Sequence, residues 1–153
     1  GTVDISVTLG NVVQISGLVD FVVPLWSPGD GDIQMSQNVC IFANNPGGDY
    51  QVTTTSLNGA AAQWRLFDGA TNFVNYDVGW TDAQGGTYAT STAGVGFANG
   101  AISVNQDNGD QVDPLCGGGP TASLSIQVIE AGNLATAADG LYTDTLTILV
   151  TPN

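Results

Sequence analysis

The sequence predicts an all-β domain built as a sandwich, and two observations carry that prediction. Apolar and polar residues alternate with period 2 in many short segments, while helical periodicity is almost absent. Gly, Asn, Asp and Pro separate these segments, and 21 glycines supply the turn residues that many short strands need. A chain of 153 residues fits one domain.

The alternating segments predict the strands in chain order. They are residues 2–9, 12–18, 20–26, 33–43, 50–57, 63–67, 73–80, 122–128 and 141–150. The sequences SPGDGD (27–32) and NNPGGD (44–49) predict turns. The stretch 81–119 is rich in Gly, Asn and Asp and predicts at most two short strands, near Tyr88 and Ile102. Residues 130–138 predict a brief helical turn or a loop.

The charge balance excludes several classes of function. Fourteen acidic residues stand against a single basic residue, Arg65, for a formal net charge of -13. Phosphate backbones and anionic membrane surfaces are bound through Lys and Arg, so neither nucleic acid nor such a membrane is a predicted partner. Without His or Lys the chain lacks the usual general base and the Schiff-base nucleophile. The protein is therefore predicted not to be an enzyme, and no cofactor is expected.

Two cysteines indicate the compartment. Cys40 and Cys116 belong to neither a CxxC motif nor a Cys/His cluster, which favours one disulfide and an oxidising environment. By the loop-entropy argument this bond contributes on the order of 4 kcal/mol. Two buried free thiols in a cytosolic protein are the alternative. The sequence contains no run of about 18 apolar residues, so membrane insertion is not predicted. We expect any signal peptide to have been removed before Gly1.

An acidic loop is the candidate metal site. Residues 105–113, NQDNGDQVD, place several oxygen ligands around a glycine, and Ca²⁺ prefers oxygen ligands. The loop lacks the terminal Glu and the full spacing of an EF-hand, so an acidic solvated turn is the favoured interpretation. The possible ligands are Asp107, Asn108, Asp110 and Asp113.

Aromatic residues and carboxylates are the remaining candidates for binding and catalysis. Trp26, Trp64 and Trp80 could line a sugar-binding surface, but packing in the sandwich core is the favoured interpretation. Glycosidases use a pair of carboxylates, whereas this chain has one Glu, Glu130, and its Asp residues lie in turns.

The N-terminal segment has the pattern of a strand. Its apolar residues Val3, Ile5, Val7 and Leu9 alternate with Thr2, Asp4, Ser6 and Thr8. Terminal segments are usually frayed and polar, so such clean alternation needs a reason. Residues 2–9 are either an edge strand of their own sandwich or a strand inserted into another subunit.

Four segments resemble one known family. They are GLYTDTLTILVTPN (140–153), CGGGPTASLSIQV (116–128), VCIFANNPGGDYQVTTTS (39–56) and VNYDVGW (74–80). Together they resemble the spore coat protein U domain family, which includes pilins of the archaic chaperone-usher type. The resemblance covers most of the chain from about Val12 onward.

The resemblance implies an immunoglobulin-like β-sandwich that lacks its final strand and is completed by donor-strand exchange. Residues 1–11 would be the N-terminal donor strand extension and residues 12–153 the pilin domain. The implied donor residues are Val3, Ile5, Val7 and Leu9, and the implied acceptor-groove residues are Leu146, Ile148 and Val150. The family's disulfide pins a central strand to a distant loop, a role that Cys40 and Cys116 fit.

By the same resemblance the chain is a structural pilus subunit of an extracellular filament, serving adhesion or biofilm formation. Its partners would be identical subunits and, on the way through the periplasm, a chaperone and an outer-membrane usher. The acidic stretch 81–113 departs from the family and leaves shaft and tip roles open. Two alternatives remain: a monomeric adhesin or lectin-like module that binds carbohydrate or Ca²⁺, and a coat protein that assembles through other contacts.

Overall fold

The structure, a computed structural model, describes residues 2 and 4–153. These residues form seven strands and three short 3₁₀ turns. The strands are β1 (Val13–Ser16), β2 (Ile33–Ala43), β3 (Tyr50–Ser56), β4 (Trp64–Phe67), β5 (Phe73–Thr81), β6 (Ala122–Val128) and β7 (Leu146–Pro152). The 3₁₀ turns are Pro46–Gly48, Tyr88–Thr90 and Leu134–Thr136.

The strands form two antiparallel sheets that pack into a sandwich. The larger sheet has the order β1-β2-β6-β5-β4, and the smaller one pairs β3 with β7. Apolar side chains from both sheets form one core, in which Trp80, Tyr50 and Ile41 are the largest fully buried side chains. This architecture confirms the predicted all-β fold of the immunoglobulin-like class.

The centre of the larger sheet is the most buried part of the molecule. β6 pairs with β2 on one side and with β5 on the other. In β5 the alternating residues Val74, Tyr76, Val78 and Trp80 are all buried, as period-2 alternation requires of a face that packs on the core. Trp64 of β4 is also buried, so two of the three tryptophans belong to the core.

The smaller sheet is extended by the irregular segment 100–106. Gly100 and Ser103 donate backbone hydrogen bonds to Thr54 and Val52 of β3, and Tyr50 exchanges two with Gln106. β3 is therefore paired on both of its edges, with β7 on the other side.

Several predicted elements differ from the structure. Residues 20–26 form no strand, and the last strand begins at Leu146 instead of residue 141. Near Tyr88 the chain makes a 3₁₀ turn, because Thr87 and Thr90 close a reciprocal capping box that favours a turn over extended backbone. Ile102 makes one isolated bridge, to Thr53.

Cys40 and Cys116 form a disulfide, with their Cα atoms 5.7 Å apart. The bond joins β2 to the loop that precedes β6, and it removes the alternative of two free thiols. Throughout the described ranges, no helix combines the length and the apolar character needed to cross a membrane.

Candidate subunit-binding site

β7 has one edge that pairs with β3 and one that does not pair within the described residues. In an antiparallel pair of strands, hydrogen-bonded pairs of opposite residues alternate with non-hydrogen-bonded pairs. The N–H and C=O groups of a non-hydrogen-bonded pair point away from the partner strand. Leu57 donates to the Thr145 carbonyl and Asn153 donates to the Asp49 carbonyl, so the odd-numbered residues of β7 bond to β3. The N–H and C=O groups of alternate residues therefore point to the open edge. These residues are Leu146, Ile148 and Val150.

β1 has an open edge of the same kind. Asn44 donates its backbone N–H to the Val12 carbonyl at 3.2 Å, in register with the β1–β2 pairing. By the same alternation, Gln14 and Ser16 bond to β2, and the backbone groups of Val13 and Ile15 point away from it. Within the part of the chain that the structure describes, β1 pairs with no other strand.

The two open edges are neighbours and are lined by apolar side chains. β1 and β7 come within 8 Å of each other, measured between Cα atoms, without pairing in the described residues. Val13, Ile15, Leu146, Ile148 and Val150 are half-buried and pack against the core. We call these unpaired edges of β1 and β7 the open seam. It unites the three predicted acceptor residues with two that the sequence did not single out. A strand paired with both edges needs about 9.5 Å between them, so β1 and β7 must move apart where they lie within 8 Å.

The N-terminal segment lies outside the sandwich. Residues 4–9 have no regular secondary structure and make no hydrogen bond to the rest of the described chain. Ile5, Val7 and Leu9 are 87%, 80% and 83% exposed. Val3, the fourth predicted donor residue, lies outside the described residues. The segment is thus an exposed row of alternating apolar side chains, the arrangement that strand pairing would bury.

A second exposed apolar stretch follows β1. Leu18, Val19, Val22 and Leu25 are exposed, whereas Phe21 is half-buried against the core. Val19 lies in register with Gln37, whose side-chain amide accepts the Val19 N–H at 2.7 Å and donates to the Val19 carbonyl at 2.9 Å. One glutamine side chain thus takes the place of a strand ladder along this part of β2.

Two of the carboxylates among the possible Ca²⁺ ligands bind the backbone of their own loop. The Asp110 carboxylate accepts the N–H groups of Val112 and Asp113, and these bonds hold its pKa below the usual range. Asp113 accepts from Leu115 and Gly117. Among the described residues no group of three or more His, Cys, Asp or Glu side chains could hold a metal ion. These carboxylates accordingly stabilise the turns of their own loop.

Asp82 connects that loop to the core. Its carboxylate accepts the Tyr50 hydroxyl at 2.6 Å and the Asp107 N–H at 2.7 Å, and the Trp80 indole N–H donates to the Tyr50 hydroxyl at 3.2 Å. Burial raises the pKa of both Asp82 and Tyr50. Each polar group of this network has a partner, so the arrangement serves stability.

An open cleft of about 410 Å³ lies between residues 71–75 and 132–142. It is lined by amides, hydroxyls and two aromatic rings, those of Phe73 and Tyr142. Its described lining contains no Asp, Glu, His or Cys, so it offers no acid–base pair.

Sequence reasoning missed three residues beside the open seam. They are Asn44, Val13 and Ile15, which set the position of β1 and its inward face. Alternation in residues 12–18 was the available signal for Val13 and Ile15. No local pattern pointed to Asn44, because its contacts with residues 10–12 cross more than thirty positions of sequence.

Comparison with solved structures supports the fold. A structure described as a chaperone–tip adhesin complex, vital for synergistic activation of CFA/I fimbriae biogenesis, matches with a TM-score of 0.64 and 17% identity. The match covers 92% of this chain and 41% of the other, so this chain spans less than half of that protein's length. No protein-family model and no curated protein matches the sequence. The likeness therefore shows that this chain shares the fold of part of that protein.

Proposed function

We propose that this protein is a structural pilus subunit that polymerises head-to-tail by donor-strand complementation. The N-terminal segment of one subunit inserts into the open seam of the next. The donor side chains are Ile5, Val7 and Leu9, with Val3 continuing the pattern, and the acceptor wall is formed by Leu146, Ile148 and Val150.

The open edge of β7 is the observation that carries this proposal. Three half-buried apolar residues, two positions apart, also carry the backbone groups that point to the open edge. Residues directly opposite one another in a sheet place their side chains on the same face. A strand paired here would bury every second side chain, which is the spacing of Ile5, Val7 and Leu9.

The energies favour such a junction. Burial of four aliphatic side chains contributes roughly 1.5–3 kcal/mol each, on the order of 10 kcal/mol before the entropy of association is subtracted. Charge opposes the contact, because each subunit carries a formal net charge of -13. Apolar burial and backbone pairing must therefore drive assembly. The contact is heterologous and does not close on itself, so repetition produces a filament.

The proposal also names the partners and the location. Identical subunits are the main partners. An unfilled open seam exposes apolar side chains and unpaired strand edges, which invite aggregation. A periplasmic chaperone and an outer-membrane usher would protect and deliver the subunit, as in the archaic chaperone-usher pilins that the sequence resembles. The filament would stand on the cell surface and serve adhesion or biofilm formation.

Two matched substitutions in the full chain test the proposal. Val7→Asp would place a carboxylate in an apolar groove at a cost of several kcal/mol, so we expect filament formation to fall by about 100-fold or more. Thr8→Asp adds the same charge to the neighbouring residue, whose side chain would face solvent, and should still polymerise. Electron microscopy and light scattering measure the filaments.

Equal behaviour of the two variants would contradict donor-strand insertion. Val7 is exposed in the subunit, so neither substitution should disturb its fold, and circular dichroism of the monomer checks this. A stable monomer at every concentration, for all three proteins, would favour the adhesin or lectin-like alternative. An irregular layer in the microscope would favour a coat protein.

A further inference from the structure

Asn44 ties the connection between the N-terminal segment and β1. Its side-chain oxygen accepts the Val12 N–H at 2.6 Å, and its side-chain nitrogen donates to the Gly10 carbonyl at 3.1 Å. Its backbone N–H donates to the Val12 carbonyl. These three bonds hold residues 10–12 in line with β1, so that the N-terminal segment continues away from the strand.

We propose that Asn44 and the phase of residues 10–12 prevent the N-terminal segment from folding back into the open seam of its own chain. The segment then remains available to a second copy. This inference rests on the proposed function and adds to it a reason why insertion occurs between molecules and not within one. Asn44 acts as a positioning residue.

The turn that the sequence favours would direct the apolar donor side chains away from the core if the segment folded back along β1. Gly10-Asn11 is a dipeptide typical of two-residue hairpin loops. A hairpin with this loop would place Val7 opposite Gln14, whose side chain is exposed. A shift of one residue moves a whole strand to the other face, so the apolar donor residues would face solvent.

The same hairpin also fails in its hydrogen bonds. It would pair Val7 and Ile5 with the backbone groups of Gln14 and Ser16, which the register assigns to β2. The backbone groups of β1 that are free at the open seam belong to Val13 and Ile15. A two-residue turn therefore mismatches both the side chains and the backbone.

A three-residue loop would restore the phase but would strain Val12. With residues 10–12 as the loop, Leu9 would lie opposite Val13 and Val7 opposite Ile15. Both donor side chains would then face the core, as Val13 and Ile15 do. The common three-residue loop ends in a left-handed residue, a conformation that a β-branched side chain rarely adopts. In the structure none of residues 10–12 has a positive φ, so neither of these two loops is formed.

A double substitution should release the block. Asn44→Ala removes the side-chain bonds and Val12→Gly permits the left-handed loop, and both positions are exposed. The matched control combines Asn44→Ala with Val12→Ala, because alanine still disfavours positive φ. Each protein is refolded from denaturant at several concentrations and analysed by size-exclusion chromatography with light scattering. Hydrogen exchange then reports protection of the amides of residues 4–9 in the monomer.

We expect the N44A/V12G variant to contain about tenfold more assembly-resistant monomer than the N44A/V12A control. Its monomeric fraction should be independent of concentration, and the amides of residues 5, 7 and 9 should be protected. Val12→Gly alone should shift the same way by a smaller factor. If N44A/V12G assembles like the unsubstituted protein and shows no protected monomer, the inference is overturned while the proposed function stands. If the unsubstituted protein forms no filaments and Val7→Asp changes nothing, both fail.

Discussion

β6 and β7 are both seven-residue strands with alternating apolar side chains, and they are surrounded differently. β6 bonds to β2 on one edge and to β5 on the other, and five of its residues are buried. β7 bonds only to β3 among the described residues, and its inward-facing side chains Leu146, Ile148 and Val150 are half-buried. The same period-2 pattern thus occurs in a closed central strand and in an open edge strand.

The two strands also differ in how the polar side chains on their faces are covered. Ser123 and Ser125 of β6 are buried, and their hydroxyls donate to the carbonyls of Ala83 and Gly79. Thr147 of β7 points outward and is exposed. Because these small hydroxyl side chains are hydrogen-bonded, both faces of β6 can be buried, whereas the outer face of β7 remains exposed to solvent. Alternation therefore determines which face is apolar and leaves open what will cover it.

Removal of the disulfide should have the largest effect, and it acts on the larger sheet through β2. The bond joins residues separated by 76 positions and anchors β2, the neighbour of β6. Replacement of both Cys40 and Cys116 by Ser should lower the free energy of unfolding of the subunit by about 4 kcal/mol. Urea unfolding of the monomeric Val7→Asp background measures this loss without interference from assembly. A loss below about 1 kcal/mol would mean that the larger sheet does not depend on the cross-link.

A matched pair of leucines tests the comparison directly. Leu124 of β6 is 2% exposed and Leu146 of β7 is half-buried. Leu124→Ala should cost about 3 kcal/mol in the isolated subunit, and Leu146→Ala about half as much, because part of its side chain already contacts water. In the filament, where a donor strand would cover Leu146, its cost should approach that of Leu124.

Urea unfolding of the monomer and urea dissociation of the filament supply the two measurements. Equal costs for the two leucines in the monomer would show that β7 is as closed as β6. A cost for Leu146→Ala that stays unchanged on assembly would mean that the filament contact lies elsewhere.

The sequence predicted the central strands of the larger sheet closely. β2 and β6 have the predicted bounds, and Val74, Tyr76, Val78 and Trp80 share a buried face as expected. Alternation over seven or more residues between strong turn signals is enough to locate such strands. The pairing Cys40–Cys116 also followed from there being two cysteines.

The irregular segments between the strands, and the contacts that they make, could not be predicted in the same way. Residues 100–106 pair with β3 through backbone bonds, a contact between segments about fifty positions apart that no local alternation reveals. The Asn44 side chain holds residues 10–12, and the side-chain bonds of Gln37 to Val19 likewise join distant positions. Donor and acceptor roles remain predictions, because they concern a contact between molecules.

Alkaline pH supplies the smallest and most selective test, at the entrance to β7. The Tyr76 hydroxyl donates to Asp144, two residues before β7, at 2.6 Å, and burial raises its pKa well above 10. Burial likewise raises the pKa of Tyr50. A raised pKa in the folded state contributes stability that is complete below pH 10 and is lost as the pH rises further. With no Lys or His in the chain, few other groups titrate there.

Above pH 10 each of these two tyrosines should reduce the free energy of unfolding by about 1.4 kcal/mol per pH unit. Tyr76→Phe should remove one such contribution and flatten the slope. Urea unfolding between pH 9 and about pH 11.5, with tyrosinate absorbance as a second signal, measures the slope. If Tyr76→Phe left the slope unchanged, the Tyr76 hydroxyl would not be buried against Asp144 in solution, and the entrance to β7 would be open as well as its edge.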